Sequence, residues 1–425
     1  GYPNESMDDF IFGFKMNTNP SGSEATSRSM GFTGQLSYSY DNRYSVDVNV
    51  RGDVSSQFSD HSLQPFWSVG ARWNAHREKW LEGVIPNLTF RTSYGKTGSQ
   101  SYSPYQAIEF YTFSSTMKPY ESFGLLGALL QGLPNPNLGW ATTDNISASA
   151  DIGFWKNRIN LSLSFYNNIT RQMLVDYDLA PSTGFTSQMI NAGELQNIGF
   201  DLSLNVIAIQ NYRKELFWTI GANANHNRNR IRKISNELEK MNAEALASTS
   251  APIPIYQVGH STSTLYTVRS LGIDPATGQE VYLKRNGEKT FTWDPTDKVP
   301  VGDTNPKVSG SINTSLTWRD AYCTLAFTYK WGGIAYNSTL VDKLENRNVA
   351  LNADRRALTQ RWTKPGDVTR YKRLSTLGSN TPQSTRFIMD DNELAFSSIN
   401  VGYRFQDTKY KFLRECSIQA LNLDL

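Results

Sequence analysis

The side chains that most often carry out chemistry in proteins are few and scattered in this chain. Its four histidines are widely separated, and none stands at metal-ligand spacing from a second His or Cys. They are His61, His76, His226 and His260. We interpret them as solvated side chains or as part of the lining of a water-filled lumen, and we predict no metal site.

The densest acidic stretch is the run Asp390, Asp391, Asn392 and Glu393. Neighbouring carboxylates can bind calcium, but this run lacks the glycine-punctuated spacing of a calcium-binding loop. We therefore predict that the run forms an exposed turn.

The sequence contains no motif for a catalytic nucleophile or for a phosphate-bound cofactor. Neither a Gly-x-Ser-x-Gly elbow nor a phosphate-binding glycine-rich loop with its lysine occurs. We therefore predict no catalytic residue, no cofactor and no enzymatic activity. Paired carboxylates for glycoside hydrolysis stay open at this point, because their separation is set by the fold.

Aromatic residues are the remaining candidates for contact with a ligand, and they make up 12% of the chain. Concave binding sites combine aromatic faces with a few polar groups. The candidates for substrate binding are Tyr105, Tyr111, Trp331 and Tyr336. The alternative is that these rings pack the loops against one another.

The elements that would position such side chains are alternating β-strands. Tyr44, Val46, Val48 and Val50 fall on one face of a strand, and the polar residues between them fall on the other face. The same alternation recurs along the chain, with short turns such as 41–43 between adjacent runs. The pattern predicts an all-β protein built from hairpins.

The connections between these runs are alternately short and long. The long ones are 96–142, 171–195, 231–307 and 332–391. Two of them contain helix-prone stretches, at Asn236–Ala247 and at 341–362. Several runs reach the roughly ten residues that a tilted strand needs to cross a bilayer. This asymmetry is typical of an outer-membrane barrel, although a soluble β-sandwich also has one apolar and one polar face.

Composition and charge exclude other classes. The chain has 425 residues, of which 39% are hydrophobic, and this leaves no room for a bundle of membrane helices. Its 42 basic and 39 acidic residues give a net charge of +3, so the charge balance provides no electrostatic footprint for nucleic acid.

Six segments, in chain order, resemble sequence elements of the SusC/RagA-like TonB-dependent transporters of the Bacteroidetes outer membrane. Residues 93–100, Ser-Tyr-Gly-Lys-Thr-Gly-Ser-Gln, are similar to the family's Ser-Tyr-Gly-x-Thr-Gly-Asn-Gln element. Residues 302–307, Gly-Asp-Thr-Asn-Pro-Lys, match its Gly-Asp-x-x-Pro-Lys turn. Residues 135–143 resemble its Asn-Pro-Asn-Leu-x-Trp-Glu element, with Ala141 in place of Glu. The other segments are 44–56, 65–73 and 191–202.

The resemblance implies a fold and a location. The fold is a section of a large antiparallel transmembrane β-barrel with long extracellular loops, with about 22 strands in the whole barrel. Residues 1–425 are all expected to belong to the barrel, and the plug, the N-terminal extension and the last strands of the family are not matched. The implied location is the bacterial outer membrane.

The resemblance also implies a function and partners. The function is active import of a nutrient oligosaccharide, or of a peptide, together with a SusD-like surface lipoprotein. Energy would come from TonB-ExbB-ExbD through the unmatched N-terminal part, and the wall would contact outer-membrane lipid but no nucleic acid. Two alternatives stay open: a passive porin or adhesin-type barrel, and a soluble carbohydrate-binding β protein.

Overall fold

A computed structural model describes residues 26–58, 63–99, 105–114, 127–249, 252, 255–346, 354–374, 381–406 and 415–423. Within these ranges the chain forms twenty strands: β1 (Ser29–Tyr40), β2 (Tyr44–Ser55), β3 (Gln64–Asn74), β4 (Asn87–Ser99), β5 (Tyr111–Ser114), β6 (Gly127–Leu130), β7 (Ala141–Phe154), β8 (Ile159–Arg171), β9 (Leu174–Asp178), β10 (Ser187–Asn191), β11 (Glu194–Asn211), β12 (Leu216–Lys233), β13 (Thr264–Ile273), β14 (Glu280–Leu283), β15 (Lys289–Thr290), β16 (Lys298–Asp303), β17 (Val308–Trp318), β18 (Ala321–Tyr336), β19 (Ile388–Gln406) and β20 (Glu415–Leu423).

Twelve of the described strands form one antiparallel sheet in the order β1-β2-β3-β4-β7-β8-β11-β12-β17-β18-β19-β20. Every strand pairs with the next large strand along the chain, so the sheet is a succession of hairpins. The hairpin that the sequence predicts around 41–43 is confirmed, with Tyr40 opposite Tyr44 and Leu36 opposite Val48. The sheet is open, with β1 and β20 as its edge strands.

The connections lie at two opposite borders of this sheet, where the strands begin and end, and not along the edge strands β1 and β20. At one edge the strands are joined by short turns, for example 155–158 and 319–320. At the opposite edge the connections are long and carry the small strands and most of the helices. We call these the short-turn edge and the loop edge. The predicted alternation of short turns and long loops is therefore confirmed.

The helical segments are short. They are α1 (Asn236–Ala247), α2 (Ser338–Leu340), α3 (Arg356–Thr359), the π-helical turn Val341–Glu345, and the 3-10 turns Ala75–Arg77, Pro181–Thr183, Pro295–Asp297 and Thr385–Phe387. α1 coincides with the predicted helix-prone stretch, and the Ser235 hydroxyl caps it by accepting from the amide of Leu238. The stretch 341–362 is helical only at its two ends within the described residues.

The two longest connections pack together into a unit that we call the loop head, residues 234–307 and 337–387. It contains the four-stranded sheet β15-β14-β13-β16. The Ser270 amide donates to the Thr385 hydroxyl at 2.9 Å, and the Trp293 indole donates to the Gln383 carbonyl at 2.8 Å. Its largest hydrophobic cluster consists of Leu340, Val341, Leu344, Ala357, Tyr371 and Phe387. Much of the chain's buried core therefore lies in this head at the loop edge.

One face of the main sheet is apolar and exposed. Register places the following residues in one row across seven strands: Tyr38, Val46, Ala71, Thr92, Ala148, Phe165 and Phe200. On interior strands, Val46 is 44% exposed, Phe165 56% and Ile312 42%. A soluble sandwich would bury such a face against a second sheet. A face of exposed apolar residues instead fits a sheet that contacts lipid.

Two glycines in one row of the opposite face have different surroundings. The row contains Ser37, Asp47, Gly70, Ser93, Ser147, Tyr166, Gly199 and Asn227. A Cβ at Gly199 would overlap the His226 carbonyl oxygen and the Tyr166 hydroxyl. A Cβ at Gly70 would meet nothing closer than the Thr92 carbonyl oxygen at 3.9 Å. Glycine is therefore sterically required at Gly199 and not at Gly70.

Candidate functional site

The second face of the main sheet is polar across its width. One row, followed through the register from β1 to β19, consists of Ser39, Ser45, Arg72, Arg91, Ser149, Ser164, Asp201, Asn225, Ser309, Lys330 and Glu393. In a transmembrane barrel the polar face lines the water-filled interior, whereas the apolar face contacts lipid. This face is therefore the candidate wall of a passage.

Ion pairs keep much of the charge on this face balanced. Arg91 pairs with Asp151, and the Lys330 ammonium lies 3.1 Å from Asp391 and 3.0 Å from Glu393. The acidic run that contains these two carboxylates lies inside strand β19, so the predicted exposed turn is wrong. The acidic run is extended because it pairs with β18, where Glu393 lies opposite Lys330, and because the two ion pairs hold it there.

Two segments with family-like sequence interlock at the loop edge. The Gly139 amide donates to the Asn191 side-chain oxygen at 2.7 Å, and the Asn191 amide group donates back to the Gly139 carbonyl at 3.0 Å. The Asn135 side chain donates to the Met189 carbonyl at 2.9 Å. These asparagines satisfy backbone groups of a neighbouring loop and so join the two segments at the loop edge.

A polar niche of about 220 Å³ lies between the connections β4–β7 and β8–β11. It is lined by Tyr105, Gln106, Ile108, Phe110, Gln131, Gly132, Leu133, Pro134, Asp176, Phe185, Thr186 and Ser187. The rings of Tyr105 and Phe110 are stacked, with centroids 4.7 Å apart and planes 8° apart. Aromatic rings together with amides and one carboxylate are the groups with which a small polar ligand can be bound.

The structure places only one of the four predicted aromatic residues in this niche, namely Tyr105. Tyr111 is 50% exposed on β5, and its hydroxyl donates to the Glu109 carboxylate at 3.0 Å. Tyr111 is therefore near the niche in sequence but does not line it.

The other two predicted residues lie on β18, on the far side of the sheet order. Trp331 shares the apolar face with Phe327 and Tyr329, and its ring centroid is 5.0 Å from that of Tyr329. Tyr336 packs against the main cluster of the loop head, 6.2 Å from the Phe387 ring. The structure thus separates the four residues into different environments, and their role in substrate binding stays a prediction.

Buried charges hold the loop head together. The Arg386 guanidinium lies 2.8 Å from Glu280 and 2.9 Å from Glu345, and these three side chains are 8%, 2% and 0% exposed. The Ser384 hydroxyl donates to Glu280 at 2.6 Å. Burial alone would lower the pKa of Arg386, but its hydrogen bonds to the two carboxylates and their charges raise it above its usual value. We call Arg386, Glu280 and Glu345 the buried triad.

A buried lysine fixes α1 to the head. Lys298 is 1% exposed, and its ammonium donates to the carbonyls of Ala245 at 3.0 Å and Ser248 at 2.7 Å at the C-terminal end of α1. No described carboxylate forms an ion pair with it. Burial lowers the pKa of Lys298 to about 8, because the C-terminal end of one short helix only partly replaces water around the charge.

The depressed pKa of Lys298 predicts that the stability of the loop head rises with pH. An unfolded lysine titrates near pH 10.4, so between about pH 8 and 10 the unfolded chain binds more protons than the folded one. Unfolding should therefore become more costly by about 2 kcal/mol over this interval. The buried Tyr266, with its pKa raised to about 12, stays protonated in the folded chain, and loss of the proton from the unfolded tyrosine near pH 10 offsets part of the gain at the upper end of the window. Hydrogen exchange of α1 amides, corrected for the intrinsic effect of pH, measures this change.

The matched variants for this test are Lys298→Met and Lys289→Met. Lys289 is exposed on β15 of the same head and forms no ion pair with a described residue. Lys298→Met should reduce the pH dependence to the part that comes from Lys372, whose pKa burial also lowers, whereas Lys289→Met should retain it in full. The same slope in both variants would assign the titration to another group.

The described residues contain no group of three or more His, Cys, Asp or Glu side chains arranged to hold a metal ion. In the same part of the chain, no helix is long and apolar enough to cross a membrane. His61 lies outside the described residues. His76 and His226 each place a ring nitrogen against a backbone carbonyl, that of Leu88 and that of Lys307.

Sequence reasoning missed several residues of these sites. Asp176 and Gln131 come from connections far apart in sequence, and no spacing relates them to Tyr105. The buried triad likewise joins three separate elements. For Trp331 a signal does exist, because the alternation through Phe327 and Tyr329 continues to it and places it on the apolar face.

An antiparallel sheet with one lipid-type face, one polar face, short turns at one edge and long loops at the other defines a section of a transmembrane β-barrel. Residues 2–254, more than half of the chain, match the family described as TonB dependent receptor-like, beta-barrel. The chain belongs to this family, and it is an outer-membrane protein.

Curated relatives are similar over nearly the whole chain. TonB-dependent receptor P3 of Formosa agariphila is 26% identical over 424 residues, covering 92% of this chain and 39% of that protein. TonB-dependent receptor SusC of Bacteroides thetaiotaomicron is 25% identical over 391 residues, covering 89% of this chain and 38% of that protein. The chain thus spans about two fifths of the length of these relatives.

Solved structures agree with the fold. The structure of the RagAB peptide transporter has a TM-score of 0.80 at 22% identity, covering 96% of this chain and 45% of that chain. The open-open state of the RagAB peptide importer has a TM-score of 0.78, covering 97% of this chain and 45% of that chain. The predicted fold, a section of a large antiparallel barrel, is therefore confirmed.

Proposed function

We propose that the chain forms part of the wall and loop region of a TonB-dependent importer that carries a nutrient oligosaccharide, or a peptide, across the outer membrane. The observation that supports this proposal most directly is the polar row that crosses the sheet from Ser39 to Glu393. A wall of hydroxyls, amides and balanced charges suits a hydrated, polar solute better than an apolar one.

The niche around Tyr105 supports an oligosaccharide as the substrate class. A sugar ring offers an apolar face for an aromatic side chain and hydroxyls for amides and a carboxylate, and Phe110, Gln131 and Asp176 supply these groups. A peptide stays in the proposal because the related RagAB structure is that of a peptide transporter.

Partners and energy coupling complete the proposal. A SusD-like surface lipoprotein would meet the loop edge, where the loop head projects, and TonB-ExbB-ExbD would supply energy through the plug and N-terminal segment that the family resemblance implies. The chain itself contributes the polar wall and the loops. Specificity would reside in loop contacts such as those of the niche.

The experiment uses the full-length parent protein in a Bacteroidetes host. Uptake of labelled oligosaccharides and peptides is compared in the wild type, in a strain lacking the parent gene and in a strain lacking TonB, with affinity purification from the outer membrane. Import that requires both genes and a co-purifying lipoprotein supports the proposal. Uptake that persists without TonB would instead indicate a passive porin.

The niche gives a test at residue level. Tyr105→Ala removes the stacked ring, and we expect binding of the transported substrate to weaken by about 3- to 10-fold, since an aromatic contact contributes about 0.5–1.5 kcal/mol. Asp176→Asn should weaken binding without changing the shape of the niche. The control is Tyr212→Ala, an exposed ring at the short-turn edge. Calorimetry on the purified transporter measures substrate affinity for all three variants. If both niche variants bind the substrate as tightly as the control does, the niche is not part of the binding site.

A further inference from the structure

In its regularly paired part, before the register shift that leaves Arg232 without an opposite residue, strand β12 carries two arginines on the face that meets the lipid. Its outward residues include Trp218, Ile220, Ala222 and Ala224, as the pairing of Ala222 with Ile312 indicates. The alternation continues through His226, opposite Phe200, to Arg228, which lies opposite Ile198, and to Arg230, which lies opposite Gln196. Ile198 is 46% exposed and belongs to the apolar face. Toward the loop edge, the lipid-facing side of this strand therefore changes from apolar residues to two arginines.

The height of these arginines can be derived from strand geometry. Trp218 lies near the short-turn edge, where an aromatic girdle is expected. Ten residues separate it from Arg228, or about 33 Å along the strand. With a strand tilt of roughly 40°, this becomes about 25 Å across the membrane, the thickness of the apolar band of such barrels. Arg228 thus emerges at the upper limit of the hydrocarbon, and Arg230 lies beyond it.

The surroundings of the two arginines agree with this level. Trp331, 50% exposed on the same face, pairs with Val308, one row below Arg228. A ring there fits the interfacial girdle at the loop edge. An aromatic ring thus lies on the same face two strands away, toward the loop edge like the arginines.

The arginines form no ion pair with the described part of the chain. Both are exposed, and no described carboxylate pairs with either. The acidic residues nearest along this face are already engaged, since Glu194 pairs with Lys233 at 3.1 Å and Asp144 pairs with Arg171. Beside them, the Gln196 amide donates to the Asn167 side chain at 2.9 Å and adds polar groups to the patch. We call Arg228, Arg230, Gln196 and Asn167 the outward basic patch.

We propose that the outward basic patch binds a phosphorylated headgroup of a glycolipid in the outer leaflet. Guanidinium groups pair with phosphate in a bidentate manner, and the amides of Gln196 and Asn167 suit sugar hydroxyls. At this height the anion within reach of the two guanidinium groups is a lipid phosphate. The inference depends on the barrel and its membrane location, not on the transported substrate.

The test uses the full-length parent protein in mild detergent, with diphosphorylated lipid A and chemically dephosphorylated lipid A as probes. Native mass spectrometry measures retention of each probe. We expect the double variant Arg228→Gln/Arg230→Gln to bind lipid A about 10- to 30-fold more weakly than wild type. Wild type should bind dephosphorylated lipid A more weakly than diphosphorylated lipid A, by the same factor.

The control is Arg213→Gln/Lys214→Gln, which removes two exposed cations from the β11–β12 turn at the opposite edge. It should bind lipid A as wild type does. If the arginine double variant does not insert, Gln196→Glu provides the second test, because it places a carboxylate opposite Arg230 and should compete with the phosphate.

Three results would overturn the proposal. The first is equal binding of lipid A by the patch variants and the control, and the second is equal binding of both probes by wild type. The third is unchanged lipid binding with loss of a co-purifying surface protein, which would assign the patch to a protein partner.

Discussion

Replacing Arg386 with methionine is expected to release the loop head while the twelve-stranded sheet stays folded. The substitution removes the cation that is hydrogen-bonded to both Glu280 and Glu345, and both carboxylates are almost fully inaccessible to water. Removing one partner of a buried ion pair costs about 3–5 kcal/mol. Because the triad joins β14, the π-helical turn and the segment before β19, this cost falls on the packing of the two long connections against each other.

Hydrogen exchange on the full-length protein measures this effect. Amides of β13, β14 and α1 should exchange faster in Arg386→Met, and amides of β11 and β12 should not change. The matched control is Arg269→Met, because Arg269 is exposed on β13 and pairs with no described carboxylate. The triple variant Arg386→Met/Glu280→Gln/Glu345→Gln should regain part of the protection, since it leaves no buried charge in the triad. Unchanged exchange in Arg386→Met would mean that the triad does not stabilise the head.

Gly199→Ala is expected to destabilise the sheet by about 1–3 kcal/mol, the usual cost of overpacking a filled site. The added methyl group would overlap the His226 carbonyl oxygen and the Tyr166 hydroxyl. The first of these atoms belongs to the backbone of a paired strand, so it cannot move without disturbing the ladder. Relief by rotation of the Tyr166 side chain alone is therefore not available.

Gly70→Ala is the control for this prediction, since Gly70 lies in the same row of the polar face with open space beside it. Alanine there should leave stability unchanged or raise it by about 0.4–1 kcal/mol, because it reduces the freedom of the unfolded chain. Urea unfolding of the full-length protein in detergent, followed by the gel-mobility difference between folded and unfolded protein, compares the two variants. Similar midpoints for both would contradict the steric argument.

The wall of the barrel could be predicted from the sequence because its rules are local. A period of two places Val46 and Val48 on one face wherever the strand lies, and a short turn such as 41–43 fixes the partner strand and the register. The same local rule assigns Trp331 to the lipid-facing side and not to a ligand site, because the alternation from Phe327 continues to it without interruption.

The sites at the loop edge could not be predicted in this way. Asp176 and Tyr105 line the same niche because two connections of irregular structure converge, and the spacing of the two residues in the sequence does not predict this. The buried triad has the same origin. The acidic run shows the opposite error: local composition favoured a turn, and pairing of Glu393 with Lys330 across the sheet favoured a strand. Tertiary contacts decided each of these cases.

The union of the two longest connections in one head limits how such transporters can be modified. Each long connection joins neighbouring strands, so any one of them could in principle be exchanged for the equivalent segment of a relative without altering the wall. The connections 234–307 and 337–387 do not have this freedom, because Glu280 comes from one of them and Glu345 and Arg386 from the other. A transplant of either segment alone would preserve the head only if the incoming segment supplied the matching charges, whereas grafting both together keeps each segment with its own partner. In this architecture the unit that can be exchanged intact is the pair of loops.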